Sequence, residues 1–322
     1  IQTIGILSGH GEMTLNHFQL LMEDNGYQVK YLTLADFSAV PEEYQLLVIA
    51  RPVRQYSSGD IEKIDSFLYH NGAYGKHLMV FGDLDMYENP LLETYLSDEW
   101  GLSFGKNAVF DNEKNVYTLP NVYYPFLKLN YAESTIAGNL SSGGYSQYVQ
   151  LGKTRPVVRV FETRDEYATF PLVVSSDSSF SRFIANTSVS VSDFSDIRKS
   201  DTDTGGPFEI MAASQRVRYE GLTQFSSTVI AAGSSSFVED YFVSNVDGFT
   251  ESSAEYILRT VKYLVAASET IDADIVPAKL IGDSLNFENN YQVVGVVAGI
   301  LIVIPAIFIL WGCLVYRRRK RL

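Results

Sequence analysis

Gly9, His10, Gly11 and Glu12 follow an apolar run from Ile4 to Ser8 and set an imidazole and a carboxylate two positions apart between glycines. In an open α/β sheet, ligands bind at the carboxyl ends of strands, close to the point where the strand order reverses. At such an end His10 can donate and Glu12 can accept, which fits contact with a polar ligand or partner. Turn chemistry accounts for the same residues: the glycines supply permissive backbone, and Glu12 suits the positive N-terminus of a following helix. The motif is not a phosphate loop, because neither GxGxxG nor GxxxxGK[ST] is present. Asp83 and Asp85 close a second apolar run, Leu78 to Phe81, and are expected on the same sheet edge. With Glu12 they could form an acidic metal site or a general acid–base pair, and with His10 a metal-assisted hydrolase. Aspartates also cap and turn at strand ends without further purpose.

Nucleophilic catalysis has little to draw on. Ser8 and the run Ser234, Ser235, Ser236 lack a G-x-S-x-G elbow. Of the histidines His10, His17, His70 and His77, only His10 falls where a base is needed. The sole cysteine, Cys313, lies in an apolar C-terminal run, so the preceding body has no cysteine nucleophile, disulfide or cysteine-based zinc site. No cofactor and no resident metal are expected. The aromatic stretch Tyr117 to Tyr131, with Tyr123, Tyr124 and Phe126, fits a recognition surface or the core of a β-rich lobe.

The elements that must position these residues alternate in type. Strands are expected at Ile4–Ser8, Tyr27–Leu34, Leu46–Ala50 and Leu78–Asp83, the third reading as a strand buried on both faces. A helix capped by Thr14 is expected through Asn25, with Phe18, Leu21 and Met22 on one face. A second, capped by Ser57 or Ser58, runs through Tyr69 with Ile61, Ile64, Phe67 and Leu68 inward. This β-α-β-β-α-β order predicts a parallel sheet with right-handed crossovers and helices on both faces. From Phe104 the chain turns rich in Tyr, Ser, Asn and Gly, with strand-like pieces at Val157–Phe161 and Phe170–Val174. Residues 193–206 read as a polar loop. Strands return at Phe208–Gln215 and Ser227–Ser234, followed by an amphipathic helix, Ser253–Ser268, with Tyr256, Ile257, Val261, Leu264 and Val265 on one stripe. The expected organisation is a first α/β half over 1–105, a β-rich insertion or second lobe over 106–205, and a return of the α/β domain over 206–268. A stalk over 269–292, a membrane span over 293–316 and a basic tail over 317–322 complete it.

Val293 to Tyr316 carries no charged side chain and precedes Arg317, Arg318, Arg319, Lys320 and Arg321. As a helix it would extend roughly 36 Å, enough for a hydrocarbon core of about 30 Å. The basic cluster is expected in the cytoplasm by the positive-inside rule, with everything before Val293 on the other side. Gly295 and Gly299 form a small-xxx-small pair suited to close helix approach. The net charge is −13, and setting aside the +5 of the tail leaves −18 on residues 1–316. So acidic a body argues against nucleic acid and against lying flat on an anionic leaflet. Ile1 opens straight into a strand-like run with no basic segment and apolar stretch before it, so an upstream membrane segment is expected to precede it.

Several short motifs in order carry a resemblance: Gly9 to Glu12 after the first strand, Leu47 to Pro52 before a Ser-initiated helix, Gly206 to Ala212, Val229 to Phe237, and a terminal span with Pro305 before the arginine-rich tail. Together they resemble the auxiliary subunits of ABC transporters typified by the gliding-motility protein GldG. The resemblance implies a Rossmann-like α/β fold of the intraflagellar-transport type, similar also to the glutamine amidotransferases but lacking their cysteine. It further implies work beside an ABC permease and ATPase, with no ATP site and no catalysis in this chain. A stand-alone ligand- or glycan-binding ectodomain is the alternative expectation.

Overall fold

In a computed structural model the chain is described over residues 1–266, apart from Tyr87, 112–116, 120–121, 125, 139, 141–147, 152, 186–196, 222 and 241–250. The expected stalk, the span at 293–316 and the basic tail lie outside the described residues. Among the described residues no helix is long and apolar enough to cross a membrane.

Four parallel strands open the chain: β1 (Thr3–Ser8), β2 (Gln28–Thr33), β3 (Tyr44–Ala50) and β4 (His77–Phe81). They are interleaved with helix α1 (Asn16–Asp24) between β1 and β2, and helix α2 (Ser58–Tyr69) between β3 and β4. A third helix, α3 (Pro90–Asp98), follows β4 and was not expected from the sequence pattern. Its signal is present in Asn89–Pro90, since proline favours the first helical turn. The sheet continues through β5 (Phe126–Tyr131), β6 (Tyr148–Gln150), β7 (Tyr167–Ser175), β8 (Glu209–Glu220) and β9 (Thr223–Ala232), and helix α4 (Glu251–Ala266) closes the described chain.

The central sheet runs in the order β6-β5-β7-β8-β9-β4-β3-β1-β2, with the short Thr163–Arg164 strand pairing β7. β9, β4, β3, β1 and β2 are mutually parallel. The β8–β9, β7–β8, β5–β7 and β5–β6 pairs are antiparallel. The fold is therefore mixed α/β with a parallel half and an antiparallel half. Strands β5, β6 and β7, from the stretch expected as an insertion, extend the main sheet, because β7 pairs with the edge that β8 would otherwise leave open.

Alternation along the strands builds a core on each face. Ile4, Ile6, Val48, Met79 and Ile230 pack with Phe18 and Met22 of α1 and with Tyr256, Ile257, Val261, Leu264 and Val265 of α4. Leu7, Leu47, Ile49, Val80 and Val229 point the other way, against Ile64, Phe67 and Leu68 of α2 and Leu92 and Leu96 of α3. The strand centres are buried on both sides, which is why they read as continuous apolar runs.

Helix starts show where local pattern stops deciding. Ser57 begins α2 with a capping box: its hydroxyl accepts from Asp60 N–H at 3.2 Å while Asp60 accepts from Ser57 N–H at 2.9 Å. Thr14 does not cap α1. The Asp240 carboxylate does so instead, accepting from His17 N–H at 2.8 Å and Asn16 Nδ2 at 2.9 Å. A charged acceptor satisfies the exposed N-terminal amides better than a threonine hydroxyl and also meets the positive end of the helix dipole. The described part of the polar loop is likewise pinned: Arg182 grips Asp203 at 2.6 Å and Thr204–Gly205 pairs with Ser179–Arg182.

Candidate functional site

The five parallel strands stand in the order β2-β1-β3-β4-β9, so the chain reverses direction across the sheet between β1 and β3. The segments leaving β1 and β3 at their carboxyl ends flank this switch point, the place where doubly wound folds bind ligands. They carry Gly9 to Glu12 on one side and Arg51 to Ser57 on the other.

Here the two segments are stitched together. The His10 carbonyl accepts from Val53 N–H at 3.0 Å and Arg54 N–H at 2.9 Å. Gly11 has φ +71°, and a Cβ placed there would lie 2.3 Å from Val53 Cγ2. Glycine is needed at that position both for its backbone and for the close approach. The Glu12 carboxylate, whose side chain is 1% exposed, accepts from the Tyr56 hydroxyl at 2.5 Å and from His10 N–H at 2.8 Å. Tyr56 is itself held by Asn89, which accepts from Tyr56 N–H at 3.0 Å and donates to the Arg54 carbonyl at 2.8 Å. The His10 ring stacks on Tyr56 with centroids 4.0 Å apart. Its Nδ1 lies 3.4 Å from Glu12 and its Nε2 3.3 Å from Asp60. Burial pushes the Tyr56 phenol well above its ordinary range, and the Glu12 charge adds to this, so it stays a donor. Burial opposes ionisation of Asp60, but hydrogen bonds from Ser57, with His10 and Lys63 nearby, hold it below the ordinary carboxylate range.

Asp83 and Asp85 follow β4 as expected, but they do not join this group. β3 separates β1 from β4, which puts their ends about 10 Å apart at the usual strand spacing. Asp83 instead accepts from Ser235 Oγ at 2.8 Å and Leu84 N–H at 2.7 Å. Burial beside Asp85 pushes its carboxyl up to about 7, against the opposing hydrogen bonds and Arg51. Asp85 pairs with Lys153 at 2.7 Å and lies 3.6 Å from Arg51. Arg155 donates to the Asp83 carbonyl at 3.4 Å and sits over the Phe104 ring at 4.8 Å. Gly233 completes this second group, since a Cβ there would lie 1.7 Å from the Arg155 carbonyl oxygen.

The acidic metal site expected from Glu12, Asp83 and Asp85, and the hydrolase reading that added His10, are not assembled. Their carboxylates are committed to separate donors at separate strand ends. Among the described residues no group of three or more His, Cys, Asp or Glu is placed to hold a metal ion. The hydroxyls named for nucleophilic attack are also committed: Ser8 pairs with Thr33 at 3.0 Å, Ser234 accepts from Ser236 N–H at 3.3 Å, and Ser235 donates to Asp83. His77 is buried and burial lowers its imidazole to about 3, so it is neutral. His17 lies 3.7 Å from Asp240, and His70 closes α2 in a left-handed conformation with φ 45°. What the switch point offers is a braced surface of one imidazole edge, Val53 and the Arg54 segment, with its acidic groups underneath.

Tyr56, Asp60 and Asn89 carry no site signal of their own in the sequence, and Ser235 stands there only within a serine run. The Ser57-x-x-Asp60 spacing and the Asn89–Pro90 dipeptide were the available signals. The candidate packing pair Gly295 and Gly299 and the tail Arg317, Arg318, Arg319, Lys320 and Arg321 lie outside the described residues.

Residues 2–121 match the model of a family described as an ABC-type uncharacterized transport system. The match supports the auxiliary-subunit resemblance and spans β1 to β4, α1 to α3 and the whole switch point. No curated protein matches the chain. Among solved structures, the chain aligns with the mmIFT52 N-terminal domain over 84% of its own length and 99% of that chain, with a TM-score of 0.52 and 12% identity. That likeness concerns the fold alone and agrees with the expected α/β class. PurLQS from Thermotoga maritima aligns over 81% of this chain and 98% of its own, at 12% identity and a TM-score of 0.33, too low to carry an argument.

Proposed function

We propose that this chain is a non-catalytic, membrane-anchored accessory subunit of an ABC transport or export system of the gliding-motility type. The observation that carries this reading is the family match over residues 2–121, which coincides with the segment that builds the switch point. The geometry there supports contact over chemistry: His10 faces two carboxylates, Glu12 is buried beneath it, and the nearby serine hydroxyls have internal partners. The α/β body stands outside the membrane and offers this braced edge to a partner or substrate. The segment 293–316 crosses the membrane, packs on permease helices through Gly295 and Gly299, and leaves Arg317, Arg318, Arg319, Lys320 and Arg321 in the cytoplasm. The net −18 on residues 1–316 supports the same orientation, because an acidic body is repelled by an anionic inner leaflet.

The test is purification of the full-length protein from its native membranes after mild solubilisation, followed by identification of what accompanies it. An ABC permease and its ATPase are expected in stoichiometric amounts. Repeated recovery without either one refutes the proposal.

A further inference from the structure

We propose that the cavity between helices α2 and α3 is a binding site for an alkylammonium group, carried by a free polyamine or by a lysine side chain. It lies at the end of the sheet opposite the switch point, so it is a second site and stands independently of the contact surface proposed above. Arg216 on β8 marks that end: it pairs with Ser227, and the next residue, Thr228, pairs with His77, the first residue of β4.

The cavity holds about 390 Å³, a size within the range of about 300–1,000 Å³ usual for small-molecule sites. Ile61, Glu62, Asp65 and Tyr69 line it from α2, and Tyr95 and Glu99 from α3 and its C-terminal end. Positions 62, 65 and 69 recur at helical spacing, which brings them to one face of α2. Three carboxylates, two phenol rings and an aliphatic side chain therefore meet in one place. Tyr95 donates to Asp65 Oδ1 at 3.0 Å, and the Tyr167 hydroxyl donates to Glu99 Oε1. Each bond engages one oxygen and leaves the other, Asp65 Oδ2 and Glu99 Oε2, to accept from a ligand. Glu62 is exposed, and among the described residues nothing pairs with it. Nor are these acids grouped to hold a metal ion among the described residues. Carboxylates spread around a cavity suit a larger cation instead, one whose charge sits on an organic stem.

Arg216, the cation in the lining, does not neutralise the cavity. It donates to Glu166 at 2.9 Å, and its guanidinium lies over the Tyr69, Tyr74 and Tyr167 rings at 5.5, 5.4 and 5.2 Å. Glu166 thus matches its charge, and the three lining carboxylates leave an excess of negative charge. Arg216 also displays what this wall accepts: Tyr69 already holds one organic cation through its ring, and it lines the cavity where a second would enter. An ammonium group finds acceptors in the carboxylate oxygens, while Ile61, Tyr69 and Tyr95 offer apolar surface to its methylene stem. An anion would be repelled by the same three carboxylates.

Calorimetric titration of the full-length chain in detergent micelles tests this, with spermidine as one probe and an acetylated, amidated glycyl-lysyl-glycine peptide as the other. A saturable site is expected, and the tighter probe identifies the source: spermidine a free polyamine, the peptide a lysine of a protein partner. Glu62→Gln and Tyr69→Leu should each weaken binding about threefold, the size of one exposed ion pair or cation–π contact, and together about tenfold. Glu62 is exposed and supports no other side chain, so its effect does not come from unfolding. Asp24→Asn removes an exposed carboxylate at the end of α1, against the opposite face of the sheet, and should leave binding unchanged. Absence of a saturable site for both probes overturns the proposal, as does unchanged affinity in the Glu62→Gln, Tyr69→Leu double variant. A loss in Asp24→Asn equal to that in Glu62→Gln overturns it too, because that is the signature of loose attraction to an acidic body.

Discussion

Replacing Asp83 by Asn should make the protein more stable at alkaline pH, by an amount that shrinks steadily as the pH is lowered toward about 4. Asp83 is 5% exposed, and burial beside Asp85 raises its carboxyl from an ordinary 3.8 to about 7. The folded state thus binds this proton more tightly than the unfolded chain does. Its favourable contribution is complete below the unfolded value, falls as pH rises from about 4 through about 7, and is absent above that. A shift of about three units at about 1.4 kcal/mol each makes ionised Asp83 cost roughly 4 kcal/mol in the folded state at alkaline pH. Asparagine carries no charge, and its amide can still accept from Leu84 N–H and exchange a hydrogen bond with Ser235. At about pH 8.5 the variant should unfold roughly 10 °C above the wild type, given about 2–4 °C per kcal/mol for a domain of this size. At about pH 5 folded Asp83 is protonated but unfolded Asp83 is largely ionised, so the variant's advantage should shrink to roughly 1.5 kcal/mol and vanish only at about pH 4. Thermal unfolding of the full-length chain in one detergent, scanned across pH for both proteins, reads the difference directly. Subtraction cancels the titrating groups that are not coupled to Asp83. A stabilisation that is the same at both ends of the scan would refute the assignment, because only a proton on Asp83 makes it pH-dependent. Asp85→Asn should move the wild-type window toward acid, since Asp85 is the charge that adds to burial.

Gly233→Ala should destabilise by about 3 kcal/mol or more, as overpacking against backbone does, because the new Cβ meets the Arg155 carbonyl oxygen at 1.7 Å; denaturation at neutral pH measures it. Asp240→Ala should cost about 1 kcal/mol by uncapping α1, and hydrogen exchange at His17 should rise without change at Ser57, where the cap is local. Gln224 is exposed, so with Cys313→Ser removing the only cysteine, Gln224→Cys should react with a membrane-impermeant thiol reagent in intact cells. Labelling only after the cells are lysed would overturn the proposed orientation.

Which parts of this molecule could be read from residue order follows from how far each interaction reaches. The apolar runs at Leu46 to Ala50 and Leu78 to Phe81 announced strands buried on both faces, and the structure pairs them in parallel. The stripe of Tyr256, Ile257, Val261, Leu264 and Val265 announced the inner face of α4, and all five are fully buried. Ser57 announced its own capping box. In each case the signal is a period or a spacing within one element, and burial or a local hydrogen bond is its direct consequence.

The partner of each polar group was not legible in the same way. Thr14 looked like the cap of α1, yet the acceptor is Asp240, 223 positions from His17. Glu12 and Asp83 looked like neighbours on one sheet edge, and they do share that edge. The strand order inserts β3 between them and hands Glu12 to Tyr56, 44 positions away, and Asp83 to Ser235, 152 positions away. The sequence by itself determined that a parallel α/β half exists, that His10 and Glu12 stand at a strand end, and that a charge-free run precedes a basic tail. Which strand ends adjoin, that β5 to β7 extend the sheet, and that the switch point is braced by its own side chains follow from the tertiary structure alone. The physical reason is that periodicity records what each residue must bury, while a hydrogen-bond partner is chosen by topology, which no local pattern contains.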